Sequence, residues 1–278
     1  MSTRLTLVSE LRLRVSVGTR ELELTVTVRR IEELRPHEEV VLSYLEELKA
    51  AFRRSIYQRN PIIVDATSGV ILDGTHRWAA MKALGYKWIA VCEVDYSNPL
   101  VLLDRWARRY RVEGSCKLSS LLKGLSSEPV KPEEVGKRDL AVIHADEAYR
   151  IEYAELTDAY AKLRELEERL TSLLGREPTY VPGDSALQEE EGILVLPPTP
   201  LKREILELAR SGVLLPPKST RHMVPARPLG VNVPLKLLAR EHVDPELLGE
   251  VLRQRKPVLL KAPVSLDREY KEVVLYFM

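Results

Sequence analysis

The segment Leu72-Asp73-Gly74-Thr75-His76-Arg77-Trp78 constrains this chain more than any other. An apolar run, Val70-Ile71-Leu72, leads into it, and an apolar-rich run from Trp78 to Leu84 leads out, with Gly85 placed as a helical C-cap. The pattern predicts a strand, a tight turn and a helix. A helix start carries unpaired N–H groups and the positive end of the helix dipole, so anions, above all phosphates, bind there. Gly74 lets the backbone approach a ligand closely. Thr75, His76 and Arg77 add hydrogen-bond donors, and Asp73 adds a carboxylate for a hydroxyl or a metal. An Asp-Gly turn with a capping Thr and surface charges accounts for the same residues without a ligand.

Around this segment the periodicity is mixed. Leu11, Leu13, Val15 and Val17, then Leu22, Leu24, Val26 and Val28, alternate with polar residues about Gly18-Thr19 and predict a β-hairpin. Arg35-Pro36-His37 breaks the strand, and Leu42, Leu45, Leu48 and Phe52 are spaced for one face of a helix. Pro61-Ile62-Ile63-Val64 predicts a short buried strand, with Thr67-Ser68-Gly69 turning it towards Val70. Trp88 to Val94 reads as a strand. Pro99 to Tyr110 reads as a helix with a solvated basic end at Arg105, Arg108, Arg109 and Arg111. Ser, Gly, Lys and Pro then accumulate from Glu113 to Lys137, which places a boundary there. The expected domains are residues 1–112 and 113–278. In the second, strands are expected at Leu140–His144 and Ile193–Leu196, and helices at Glu155–Leu174, from Pro200 to Gly212 with Thr199 as cap, and at Pro245–Arg255. An edge strand is expected at Val273–Phe277.

Two further segments are rich enough in polar groups to carry chemistry. Pro36-His37-Glu38-Glu39 offers a general base or metal ligand, or plain acidic residues in a first helical turn. Lys218-Ser219-Thr220-Arg221-His222 packs two cations, two hydroxyls and an imidazole into a polar loop flanked by prolines, either a dense donor set for phosphate or carboxylate or a plain solvated loop. No P-loop, no G-x-G-x-x-G and no nucleophile elbow occurs. Lys plus Arg is 42 against 41 Asp plus Glu, a formal charge of +1, which argues against a dedicated nucleic-acid binder. No apolar run is long enough for a membrane span. Cys92 and Cys116 build neither a disulfide framework nor a zinc site. A cytoplasmic protein, with one buried and one linker cysteine, is expected. Asn and Gln are scarce beside abundant Glu, Arg and Leu, the balance of a thermophile.

Asn60-Pro61-Ile62-Ile63-Val64, Leu72 to Ala80 and Leu84-Gly85 resemble the ParB/sulfiredoxin-like fold over about residues 28–110. Sulfiredoxins carry a catalytic Cys where Thr75 stands, which removes that chemistry. Partition proteins follow the domain with helix-turn-helix segments, whereas residues after 113 read as mixed α/β. Pro36-His37-Glu38, Asp73 to Trp78 and Pro217-Lys218-Ser219-Thr220-Arg221-His222 together are similar, in order and type, to the archaeal free-serine kinases. That likeness covers about residues 20–235, with Thr75 in place of a His and Ser219 in place of a Thr.

The resemblance implies an α/β (α+β) chain: a ParB/sulfiredoxin-like domain and a smaller α/β domain, with the active site in the cleft between them. It implies phosphoryl transfer from ADP or ATP to the hydroxyl of L-serine, giving O-phospho-L-serine for cysteine biosynthesis. Glu38 and Asp73 would be catalytic, Asp73 also a candidate Mg²⁺ ligand. Gly74, Thr75, His76, Arg77, Lys218, Ser219 and Thr220 would bind nucleotide or phosphate. Arg221, His222 and Trp106 would meet the substrate, Trp106 either lining the pocket or packing in the core. The expected partners are L-serine and nucleotide, with no membrane and no nucleic acid, in a monomer or small homo-oligomer. A ParB-like regulator and a kinase for another small alcohol are the rivals. The residues after about 240 lie beyond the family core.

Overall fold

The computed structural model describes residues 3–9, 12–112, 117–183, 185–188, 192–243, 247, 249–251, 257–266, 269–270 and 272–278. Cys116 and most of the helix expected at Pro245–Arg255 lie outside the described residues. The chain forms two compact units. The first comprises Met1–Leu102, Leu206–Leu214 and His222–Met278, and the second Leu103–Ile205 and Leu215–Arg221. The chain therefore does not divide once at residue 112, as the composition shift suggested.

In the first unit, six strands form one mixed sheet: β1 (Thr3–Ser9), β2 (Arg12–Val17), β3 (Arg20–Arg30), β5 (Ile62–Asp65), β6 (Ile71–Asp73) and β7 (Trp88–Val94), in the order β1-β2-β3-β7-β5-β6. A separate short strand, β4 (Tyr57–Gln58), precedes β5. The expected hairpin is β2–β3, with Leu13 opposite Leu24 and Val15 opposite Leu22. All four are buried, so the alternation seen in the sequence faces the core. β5 and β7 run parallel, and residues of both are fully buried from Ile62 to Val64 and from Ile89 to Cys92. That is why they read as unbroken apolar runs.

Helix α1 (Leu42–Arg54) is where the spacing predicted it, yet only Phe52 is buried. Leu42 stays 73% exposed. Helix α2 (Thr75–Ala83) opens directly from Gly74, and Gly85 follows its end with φ +80°.

Residues after 221 return to this unit. Val233–Pro234 pairs with β4. Arg227–Leu229 lies parallel to Val274–Phe277, which also pairs antiparallel with Pro257–Leu260. The C-terminal strand is thus the middle of three rather than an edge, and Leu229, Val264, Tyr270 and Val274 form a core beside it.

The second unit is an antiparallel sheet in the order Ser127–Val130, Glu147–Ile151, Leu140–His144, Ile193–Leu196, Trp106–Tyr110, Thr179–Pro182. The helix expected over Pro99–Tyr110 is absent, because Trp106–Tyr110 is an inner strand between Ile193–Leu196 and Thr179–Pro182. Arg105, Arg108 and Arg109 are buried, not solvated, with Arg108 0% exposed, while Arg111 beyond the strand is exposed as expected. Arg105 Nη1 donates to the Pro197 carbonyl at 2.7 Å, Arg109 Nη2 donates to Ala186 O at 2.7 Å, and Arg108 Nε bonds Glu167. A buried guanidinium survives where its donors find such acceptors.

Glu167 lies on the long helix Leu156–Leu174, whose apolar stripe Leu156, Ala159, Tyr160, Leu163, Leu166 and Leu170 is buried and which Gly175 ends at φ +64°. The following helix is Lys202–Ser211, so it begins later than Pro200. The N–H of Leu201 donates to Glu204 Oε2 at 2.6 Å, a cap in which Thr199 takes no part.

Candidate active site

In the first unit the turn is built as the sequence implied. Asp73 ends β6, Gly74 stands at φ +102°, and α2 begins with no side chain capping its start. A Cβ at position 74 would fall 2.5 Å from Ile62 Cγ2. Only glycine fits, because both the conformation and the approach to β5 exclude a side chain. The amides that open α2 are the kind of group an anion takes up.

Asp73 Oδ2 accepts from Arg77 Nη2 at 2.7 Å and from Arg227 Nη1 at 2.8 Å. Arg77 Nη1 donates in addition to the carbonyls of Asn60 and Pro61, at 3.0 and 2.9 Å. Three of its five N–H donors are therefore engaged by the turn's own framework.

The Mg²⁺ role expected of Asp73 fits poorly too. A dication at this carboxylate would sit against two guanidiniums, and among the described residues no three His, Cys, Asp or Glu are grouped to hold a metal ion. Arg227 is buried. Burial lowers its proton affinity, but Asp73 and Glu272 more than offset this and hold the guanidinium above its usual value.

His76 Nε2 accepts the N–H of Val41 at 2.9 Å, and its ring packs edge-on against Tyr44, centroids 5.5 Å apart. A nitrogen that accepts carries no proton, so the neutral ring is the Nδ1–H tautomer. Thr75 is the first residue of α2.

Glu38 lies between the end of β3 and α1, outside the first helical turn. Its Oε1 is 3.8 Å from Nε2 of the buried His37. Burial pushes the His37 imidazole below its ordinary pKa, against the pull of Glu38 and a hydrogen bond with the backbone of Ile71. His222 stands behind it, its ring 5.4 Å from that of His37 and its Nε2 2.7 Å from the Tyr96 hydroxyl. His222 is buried in this aromatic cluster. Through the His37 ring it is linked to the neighbour of Glu38.

In the second unit, Lys218 to Arg221 are brought to Trp106. Lys218 Nζ lies 5.5 Å and Arg221 Cζ 5.6 Å from the Trp106 ring centroid, within cation–π range. Arg221 Nη1 is also 3.7 Å from Asp104 Oδ2. Trp106 thus backs two cations instead of only filling a core.

The loop is held from below. Tyr160 donates to Ser219 O at 3.1 Å, Arg108 Nη1 donates to Lys218 O at 3.1 Å, and Lys218 takes φ +62°. Ser219 Oγ donates to Pro216 O at 2.7 Å in a fully buried position, so its hydroxyl ties the loop instead of facing a phosphate. Thr220 is buried as well.

Sequence reasoning missed Arg227, Glu272, Tyr96 and Asp104. The first had a signal: a lone cation inside Val224-Pro225-Ala226-Arg227-Pro228-Leu229-Gly230-Val231 needs a buried partner. The others had none, because their partners lie far away in the chain.

No protein-family model matches the chain. An ATP-dependent L-serine kinase of Staphylothermus marinus is 32% identical over 234 residues, covering 75% of this chain and 89% of its own. An ADP-dependent L-serine kinase of Thermococcus kodakarensis is 24% identical over 221 residues, 75% of this chain and 90% of its own. The solved structure of a free serine kinase in complex with AMP superposes with a TM-score of 0.61 at 22% identity, over 77% of this chain and 93% of that one.

Proposed function

The chain belongs to the archaeal L-serine kinases, which carry a ParB-like fold, and from that premise we propose that it phosphorylates free L-serine. The γ-phosphoryl of ATP, or the β-phosphoryl of ADP, passes to the serine hydroxyl and yields O-phospho-L-serine, which feeds cysteine biosynthesis. One observation carries the reading: an uncapped helix start behind an obligatory glycine, preceded by an aspartate clamped in place.

A neutral alcohol is a poor nucleophile, so a carboxylate must take its proton as the bond to phosphorus forms. Glu38 is assigned that step. Asp73 orients the hydroxyl. The backbone from Gly74 to Arg77, with the Nδ1–H of His76, binds the donor's phosphates. Lys218 and Arg221 neutralise phosphate and the serine carboxylate, Arg221 by its planar fork. The buried Ser219, Thr220 and His222 hold these groups in place. Phosphoryl transfer asks mainly for such positioning and charge neutralisation. Mg²⁺, supplied with the donor nucleotide, would neutralise phosphate charge, and no residue of this chain is assigned to hold it.

The test is an assay at elevated temperature with L-serine and Mg²⁺, run with ATP and with ADP and read by mass spectrometry for O-phosphoserine. Product with either donor supports the kinase and identifies its nucleotide. Nucleotide binding without product from serine moves the reading to another alcohol. Glu38→Gln is expected to lower kcat by about a hundredfold or more with nucleotide Kd nearly unchanged. Turnover within a few-fold of wild type removes Glu38 as the base.

A further inference from the structure

Arg227 is buried and makes two ion pairs at once, Nη1 to Asp73 Oδ2 at 2.8 Å and Nε to Glu272 Oε1 at 3.0 Å. Its backbone is tied to the same C-terminal segment: its N–H donates to Val273 O at 3.2 Å, and it lies in register with Val274. A run of charges therefore leads from the segment just before the last strand to the two residues that flank the turn at Gly74: Glu272, Arg227, Asp73, Arg77.

Such a run is poorly explained by stability. Desolvating buried ions costs about what their attraction returns, and apolar side chains of similar volume often serve as well. Arg227 is also too buried to reach a substrate. What the arrangement does achieve is directional. Two guanidiniums bonded to the same carboxylate oxygen restrain the rotation of Asp73 about its side-chain torsions, and each is itself restrained, Arg77 by two carbonyls and Arg227 by Glu272.

We propose that Arg227 and Glu272 are positioning residues of the kinase reaction. Glu272 holds the Arg227 guanidinium, and Arg227 sets the Asp73 carboxylate at the mouth of the phosphate turn. The C-terminal three-stranded sheet is thereby part of the active-site framework. This rests on the proposed role of Asp73.

The experiment is a mutant cycle on the full-length protein with Asp73→Asn, Arg227→Met, Arg227→Lys, Glu272→Gln and the double variant Asp73→Asn/Arg227→Met. Its readouts are kcat and KM for serine and nucleotide, nucleotide Kd by calorimetry, and Tm. Arg227→Met is expected to lower kcat about tenfold or more with nucleotide KM and Kd within about threefold, but to cost less than about twofold in the Asp73→Asn background. Arg227→Lys is expected to recover part of the loss.

Glu272→Gln keeps Arg227 in place and is expected to cost about three- to tenfold in kcat with Tm close to wild type. It carries the test if Arg227→Met does not fold. Equal losses from Arg227→Met in both backgrounds, or full kcat in Glu272→Gln, overturn the inference and leave the kinase reading standing. Wild-type kcat in Asp73→Asn overturns the role of Asp73 and the inference with it. Absence of phosphoserine from the wild type itself, seen before any variant is made, overturns the kinase reading.

Discussion

At position 74 the geometry leaves no choice of side chain. Any Cβ meets Ile62, and φ +102° is a conformation that L residues adopt only with strain. Gly74→Ala is expected to destabilise the protein by about 1–3 kcal/mol and to lower kcat by about tenfold through displacement of the α2 amides. A thermal melt together with turnover checks this, and an unchanged melt shows the turn to be relaxed. His37 gives a pH signature. Its folded pKa lies below the ordinary 6.5 because burial penalises the charged ring. The unfolded chain then binds the proton first, so stability falls as pH drops below about 6.5 and is constant above it for this group. His37→Asn is expected to flatten the fall in Tm between pH 7.5 and 5.5, and parallel curves for the two proteins would show that the ring is not held neutral. Cys92 is buried, with its thiol pushed up to about 12 by burial, and is the buried cysteine of the expected pair.

The strand Trp106–Tyr110 is the element whose sequence misleads most. Arg108 and Arg109 stand next to each other, so no period-2 alternation marks a strand, and a run of arginines looks solvated. Carbonyl acceptors and Glu167 reverse both expectations. Removing one partner of a buried pair leaves the other charge uncompensated. Glu167→Ala is therefore expected to cost about 3 kcal/mol, seen as a lower urea midpoint with unchanged slope, while Arg108→Met with Glu167→Leu recovers much of it. A midpoint within error of wild type in Glu167→Ala would mean that the carbonyls of Trp106 and Lys218, which Arg108 also reaches, suffice alone. By contrast, β2, β3, β5, β7 and the helix Leu156–Leu174 were all legible from periodicity, because each buries a regular face or a continuous apolar run.

For the whole molecule, the chain's path decides which segments stand or fall together. Residues after 221 rejoin the first unit, and Val274–Phe277 is the central strand of its three-stranded sheet. Deleting residues 241–278 removes both partners of the Arg227–Leu229 sheet, much of the Leu229–Val264–Tyr270–Val274 core and Glu272. The truncated protein is expected to expose apolar surface, bind a hydrophobic dye and melt at least about 10 °C lower, which is a few kcal/mol for a chain of this size. An unchanged melting temperature would show this sheet to be a dispensable appendage.

The linear order of residues by itself determined the strand–turn–helix at Asp73 to Trp78, the hairpin, the long helix and the identity of the polar segments, because these follow from local periodicity and from what glycine alone permits. Only the tertiary structure decided which polar groups meet. Asp73 is claimed by Arg227, 154 residues away, His222 by Tyr96, and Ser219 is buried beneath its own loop. Charge letters carry no partner in one dimension. A buried ion or hydroxyl takes its role from the acceptor it finds after the chain has closed, and that acceptor is set by the packing of distant segments.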